Sequence, residues 1–308
     1  MGQKDTVTKS YMSKKKYFAD AFNFLMFNGN CVVKEENLHE QDPTEIGIVF
    51  EEEEKEITQK VRDVLKECVI MQDDKCSYLI LGIENQSDVH YAMPVKNLIY
   101  DALNYGQQIS QKTKELRKDG KLKKAEFLSG IRKNEKLKPV ITLTIYWGAD
   151  EWDAPRCLKG MLEDVDKSVL HFVNDYKLNL IVPKEIDDFS KFVTDFGKAM
   201  KYIASSQDKQ KMQEAAQNEK FRFVDVDTVN LLNVCTGANI SVPEGKGQVD
   251  MCKALEDIKN EGISQGVEIG IHALVKTLKS MDASGDFIVD RIVEEFGLSE
   301  NNAKKYVQ

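Results

Sequence analysis

Nowhere does this chain carry the roughly 18 consecutive apolar residues that a membrane span requires. Met1 to Lys16 is polar and has no apolar core of a signal peptide, so the chain is expected to stay in the cytoplasm. Glycine (18 of 308 residues) and proline (6) are not enriched, which excludes collagen-like and Pro/Gly-rich low-complexity chains. The cysteines Cys31, Cys68, Cys76, Cys157, Cys235 and Cys252 form no CxxC pair or other short metal-ligand spacing, and are expected to be reduced and mostly buried. His39, His90, His171 and His272 are scattered singly, in no HExxH or HxH arrangement, which argues against a histidine-ligated metal centre.

What is present is an ordinary globular composition, 42% hydrophobic and 31% charged, enough for one core with appendages or two small domains. The net charge of −8 argues against a surface coated in positive charge, but the charge is uneven. Glu51 to Glu54 with Glu56 make an acidic block, whereas Lys112 to Lys138 is strongly basic and includes Lys112, Lys114, Arg117 and Lys118. Such a local patch either steers a polyanion or is simply a solvated helix and loop.

Residues 1–14 read as a polar lead-in. Phe18, Ala21, Phe22, Leu25 and Met26 at helical spacing predict a first helix over Tyr17 to Phe27, ended by Gly29-Asn30. Gly47 to Phe50 is a short strand candidate. Val61 to Met71 and Tyr78 to Ile83 read as paired strands joined by the turn Gln72-Asp73-Asp74-Lys75, the second strand largely buried. Pro94 suits the start of a helix through Leu98, Ile99, Ala102, Leu103 and Ile109. Strands are predicted over Pro139 to Trp147 and Leu178 to Val182, and an amphipathic helix over Phe189 to Ala204. Residues 206–250 connect to a helical tail, 251–308, in which Gly262, Gly266 and Gly270 recur every fourth residue and Ser299 caps a last short helix.

The order over residues 15–205 is then α-β-β-β-α-β. Glu84 and Gln86, two apart on a strand, share a face, and Asn85 points the other way. A hairpin through Asp73-Asp74 brings Asp63, on the neighbouring strand, close to Glu84. Two converging carboxylates repel unless a positive group lies between them, and a divalent cation with oxygen ligands answers that need. The other reading is two unrelated carboxylates on exposed strand positions.

Several ordered motifs add a resemblance. Arg62-Asp63-Val64-Leu65-Lys66, Leu81-Gly82-Ile83-Glu84-Asn85-Gln86 with His90-Tyr91-Ala92-Met93-Pro94, Tyr100-Asp101-Ala102, Glu126-Phe127-Leu128-Ser129-Gly130, Lys136-Leu137-Lys138-Pro139-Val140 and Trp152-Asp153-Ala154-Pro155-Arg156 resemble the recombination-promoting nuclease (Rpn) family. That family, also described as transposases, lies within the PD-(D/E)xK nuclease superfamily. The resemblance implies an α/β restriction-endonuclease-like core, a mixed sheet flanked by helices, and Mg²⁺-dependent (or Mn²⁺-dependent) DNA cleavage. Asp63 and Glu84 would be the metal ligands, and Gln86 would stand where the superfamily most often has lysine. Lys66 is a candidate for the missing charge, but strand parity turns it to the opposite face. Asp20 on the first helix is a candidate accessory acid. Tyr100, Gln107 and Gln111 form a polar stripe that would flank the site or touch DNA. The basic stretch, placed beside the site, would hold DNA phosphates. The competing readings are a nuclease fold retained for DNA binding or regulation, and a homo-oligomer built on the glycine-spaced tail.

Overall fold

The computed structural model describes residues 2–48, 57–72, 75–118, 120, 124–243, 245 and 247–307. The acidic block, Val49-Phe50, Asp73-Asp74, Lys121 and Lys123 lie outside the described residues. The chain divides into two compact units, Met1–Val249 and Asp250–Gln308.

The first unit begins with two helices rather than a lead-in: α1 (Gln3–Ser13) and α2 (Lys15–Phe27), separated by the extended residue Lys14. α1 escapes a hydrophobicity-based reading because only Thr8, Tyr11 and Met12 of its residues are buried. α2 stops where Asn28 and Gly29 take positive φ. A Cβ on Gly29 would sit 2.4 Å from the Lys191 carbonyl oxygen, so both the turn and its packing require glycine.

There follow β1 (Leu38–Glu40), β2 (Thr44–Ile48), β3 (Ile57–Val61), β4 (Val64–Gln72), β5 (Lys75–Gln86), α3 (Met93–Lys118), α4 (Ala125–Ser129), β6 (Val140–Tyr146), α5 (Lys167–Leu170) and β7 (Asn179–Ile181). The unit ends with α6 (Asp195–Ser205), α7 (Lys209–Gln217), α8 (Glu219–Arg222), β8 (Phe223–Asp225), α9 (Val226–Thr236) and the start of β9 (Gln248–Asp250). A mixed sheet of order β1-β4-β5-β6-β7 forms the centre of this α/β unit. β1–β4 and β4–β5 are antiparallel, and β5–β6 and β6–β7 are parallel, as the crossover through α3 requires.

Two expectations change here. The segment containing Gly47 is a strand, but it pairs with β3 in a separate hairpin, and β1 supplies the sheet's first strand. The helix expected from Phe189 starts only at Asp195, after a single 3₁₀ turn over Phe189–Lys191, with the Thr194 side chain accepting the Phe196 N–H as its cap.

The two faces of the sheet differ in chemistry. Leu81, Ile83, Leu143 and Ile145 point to the side of α1, α2 and α6, where Trp147 packs edge-on against Tyr11 and Phe196. Gly82, Glu84, Thr142 and Thr144 alternate onto the other side, beneath α3. That face is polar, so α3 buries Asn97, Tyr100, Asp101 and Asn104, while Ile99 and Ala102 of the expected apolar stripe face outward.

A buried network joins the two. Arg62 donates to Thr142 Oγ1 at 2.7 Å and pairs with Asp101 at 3.4 Å, and Tyr176 donates to the same carboxylate at 2.7 Å. Burial and the neighbouring Asp101 charge push the Tyr176 hydroxyl well above the usual tyrosine range. A Cβ on Gly82 would lie 2.1 Å from Arg62 Nη1, so glycine at this position makes the room the guanidinium occupies. Five cysteines among the described residues are unpaired, and only Cys68 of them is buried.

The second unit holds α10 (Met251–Ser280), α11 (Gly285–Phe296) and α12 (Glu300–Val307). Ile271, Val275, Ile288, Val289, Ile292 and Ala303 form its core. The turn Gly297-Leu298-Ser299 separates the last two helices, with Gly297 at positive φ and the Ser299 carbonyl accepting the Ala303 N–H. Of the three evenly spaced glycines, a Cβ on Gly262 or Gly266 would meet nothing within 4 Å among the described residues, whereas one on Gly270 would lie 3.1 Å from the Phe296 ring.

Candidate active site

Asp63 and Glu84 come together, though not as two strand residues. Asp63 occupies the bend just before β4, and Glu84 sits near the end of β5. The Asp63 backbone N–H points at Glu84 Oε1 across 3.3 Å, and the Asn85 N–H donates to Asp63 Oδ2 at 2.8 Å. The main chain at Asp63 thus holds the Glu84 carboxylate, and the main chain at Asn85 holds that of Asp63. Asn85 reaches across this latch: its Nδ2 lies 3.4 Å from Asp63 Oδ2, and its Oδ1 accepts the Trp147 indole N–H at 2.9 Å.

Glu84 is 2% exposed, and its second oxygen pairs with Lys96 Nζ at 2.8 Å. Burial pushes the Glu84 carboxyl above the usual carboxylate range; Lys96 draws it down, and the Asp63 charge beside it pushes it up again. Lys96 lies on the first turns of α3, above the strand that carries Glu84. Gln86 ends β5, held by the Trp147 N–H on its carbonyl at 2.8 Å, and its side chain lines a cavity of about 390 Å³. Asp63, Asn85, Asp88, His90, Lys96 and Asp5 of α1 line the same cavity.

Glu84 is not among the residues that line this cavity, and both of its oxygens are engaged, so of the pair it is Asp63 that faces the open space, with Asp88 and Asp5 across it. Among the described residues no group of three or more His, Cys, Asp or Glu side chains converges as a complete metal cage. Asp63 Oδ1 has no hydrogen-bond partner among the described residues and is free to act as a ligand.

Other expected residues fall elsewhere. Asp20 is buried, and its carboxylate accepts the N–H groups of Val193 and Thr194 and the Thr194 hydroxyl, at 3.0, 2.9 and 2.5 Å. It ties α2 to the segment that leads into α6, and burial raises its pKa against these three bonds. The acid that a first-helix position contributes to the cavity is Asp5 instead. Lys66 is fully buried on the α1–α2 side, donating to the Ser13 carbonyl at 2.9 Å and pairing with Glu40, on the face that strand parity assigns it.

Tyr100 turns inward, its ring 5.1 Å from the Arg62 guanidinium carbon and 6.0 Å from Lys96 Nζ, whereas Gln107 is half-buried and Gln111 exposed. The three therefore share no single surface. Lys112, paired with Glu135 at 2.9 Å, and the exposed Lys114, Arg117 and Lys118 sit at the far end of α3. At ~1.5 Å rise per residue, the sixteen residues from Lys96 to Lys112 place this patch about 24 Å from the site along the helix, not beside it.

Lys96, Asn85, Arg62 and Asp5 were not singled out from the sequence as parts of this site. A signal for α3 was available: Asn97, Asp101 and Asn104 at helical spacing make a polar buried stripe, and Lys96 adjoins it. The comparison with family models, with curated proteins and with solved structures gives no match to this chain.

Proposed function

We propose that the chain is a metal-dependent DNA endonuclease of the PD-(D/E)xK type, akin to the Rpn family, with Asp63 and Glu84 holding Mg²⁺ or Mn²⁺. The observation that carries this reading is the latched pair Asp63–Glu84, with Glu84 buried and ion-paired to Lys96 and Asp63 lining an open polar cavity. The elements of the central sheet and the helices before and between its strands, taken without the separate β2–β3 hairpin and the short α4, run α2, β1, β4, β5, α3, β6 and support it, since α-β-β-β-α-β is the order expected of such a core. A bound divalent cation would supply Lewis acidity toward a phosphate oxygen and lower the pKa of an attacking water.

The protein's own groups do the rest. Asp63 Oδ1 and Glu84 present negative charge to the cation. Lys96 supplies from α3 the fixed positive charge that Gln86 lacks, positioned to offset charge developing on a phosphate. Gln86 offers an amide that donates to the phosphate or accepts from the water. Lys114, Arg117 and Lys118 hold DNA phosphates about two helical turns of protein beyond Gln107.

A second reading, a catalytically weak nuclease fold that binds or regulates DNA, draws on one observation: Lys96 is already engaged by Glu84. Incubating the purified protein with plasmid or oligonucleotide DNA and Mg²⁺, Mn²⁺ or EDTA separates the two. Cleavage that requires the metal is expected; binding without cleavage under every ion favours the second reading.

A further inference from the structure

The hydrolysis proposed at Asp63 and Glu84 draws on the polar cavity that Asp63 lines. A second cavity, about 310 Å³, adjoins it and shares two residues with it, His90 and Lys96. Its remaining described lining is apolar and aromatic: Ala92, Val95, Ile99 and Tyr100. The turn before α3 brings His90 to the join, where its backbone carbonyl accepts the Met93 N–H at 3.1 Å.

The imidazole Nδ1 of His90 is buried and has no hydrogen-bond partner. Buried polar atoms in folded proteins are nearly always paired, so His90, which lines both cavities, is a wall residue with unmet hydrogen-bonding capacity. The required ligand has a flat apolar body, a hydrogen-bonding edge, and an anionic group reaching back toward Lys96. A nucleotide has all three, arranged as base and phosphate.

We infer that this second cavity receives an unstacked nucleobase flanking the cleaved phosphate. The substrate is therefore DNA with an unpaired nucleotide at the cut, in a single strand, a mismatch or a flipped position. The inference rests on the nuclease reading for the place of the phosphate. It assigns His90 to the polar edge of the base, and Val95 and Ile99 to its apolar face. A fully paired base lies inside the stack and cannot enter.

The test is binding in Ca²⁺, read by anisotropy and by the fluorescence of 2-aminopurine placed at single positions of an oligonucleotide. Single-stranded and mismatched DNA should bind about tenfold tighter than the fully paired duplex, with a fluorescence change confined to one position. Val95→Trp, which fills the cavity from a half-exposed helix position outside the polar cavity, should remove that preference and leave paired-duplex affinity unchanged, and His90→Ala should weaken the preference. Ala92→Trp, at an exposed position, serves the same purpose if Val95→Trp fails to fold.

Equal affinity for paired and unpaired DNA, a preference that survives the filled cavity, or no binding of any oligonucleotide overturns the inference. An unpaired-base preference lost in the filled variant, in a protein that cuts nothing with Mg²⁺, retains the base site and removes the nuclease reading. Metal-dependent cleavage without any such preference does the reverse.

Discussion

A carboxyl as buried as Glu84 ionises only with help, and the help comes from Lys96 on one oxygen and the Asp63 N–H on the other. Burial still dominates and holds its pKa above that of an unfolded glutamate. The sign of the resulting pH dependence is fixed. The stability tied to protonated Glu84 is fully present below the unfolded value of about 4.3, and is lost as pH rises through the higher folded value. Glu84→Gln, which cannot ionise, should therefore gain in melting temperature relative to wild type as pH climbs from ~4.3 to neutrality. Calorimetric scans of both proteins across that range check this; a difference that shrinks with rising pH contradicts it. Lys96→Gln removes the opposite charge, so Glu84 should titrate still higher. Cleavage should fall about 100-fold, with the acidic limb of its pH–rate profile displaced to higher pH, whereas a merely structural Lys96 would leave the profile where it was.

At the scale of elements, α3 and β5 are matched through polar groups, and Gly82 is the place where that match is least forgiving. Gly82→Ala would drive a Cβ into the Arg62 guanidinium, fully buried and engaged with Thr142 and Asp101. The expected loss is about 3 kcal/mol in denaturant unfolding, the size seen when a buried ion pair is disturbed. The glycines of α10 should behave oppositely. Gly262 and Gly266 pack against nothing among the described residues, so Gly→Ala at each should add about 0.5–1 kcal/mol by helix propensity alone. If that half of α10 instead pairs closely with a second copy, the same substitutions lower the dimer fraction seen by light scattering.

Short apolar, β-rich runs bounded by turn residues made β4 and β5 legible in advance, and partial alternation did so for β6, because their apolar residues face a packed layer. α3 was legible as a helix but not in its orientation. Its inward residues are Asn97, Asp101 and Asn104, and a hydrophobicity argument assigns such residues to solvent. α1 was missed for the related reason that it buries so little of its own surface.

For the molecule as a whole, a net charge of −8 leaves any binding of DNA to local patches. The described candidates are Lys114, Arg117 and Lys118, exposed at the end of α3 opposite the one that carries Lys96. Replacing all three with Gln should flatten the dependence of log affinity on log salt by about 3, at ~0.9 for each duplex phosphate that is no longer neutralised. An unchanged slope in a fluorescence titration places the phosphate-binding groups elsewhere. That Asp63 and Glu84 lie close together was readable from the sequence because β4 pairs with β5, although Asp63 falls in the bend before β4 and not on the strand. The distance of the basic patch from them was not, because it depends on α3 running unbroken from Met93 to Lys118.

The proposed nuclease requires Asp63 and Glu84 to act as one site, and plasmid nicking by the purified protein in Mg²⁺ tests that most directly. Wild type should convert supercoiled plasmid to nicked and linear forms. Asp63→Ala and Glu84→Ala should each reduce the rate by at least about 100-fold, and Asp20→Asn should retain cleavage wherever the fold is kept. Cleavage that persists in both Asp63→Ala and Glu84→Ala would contradict the account.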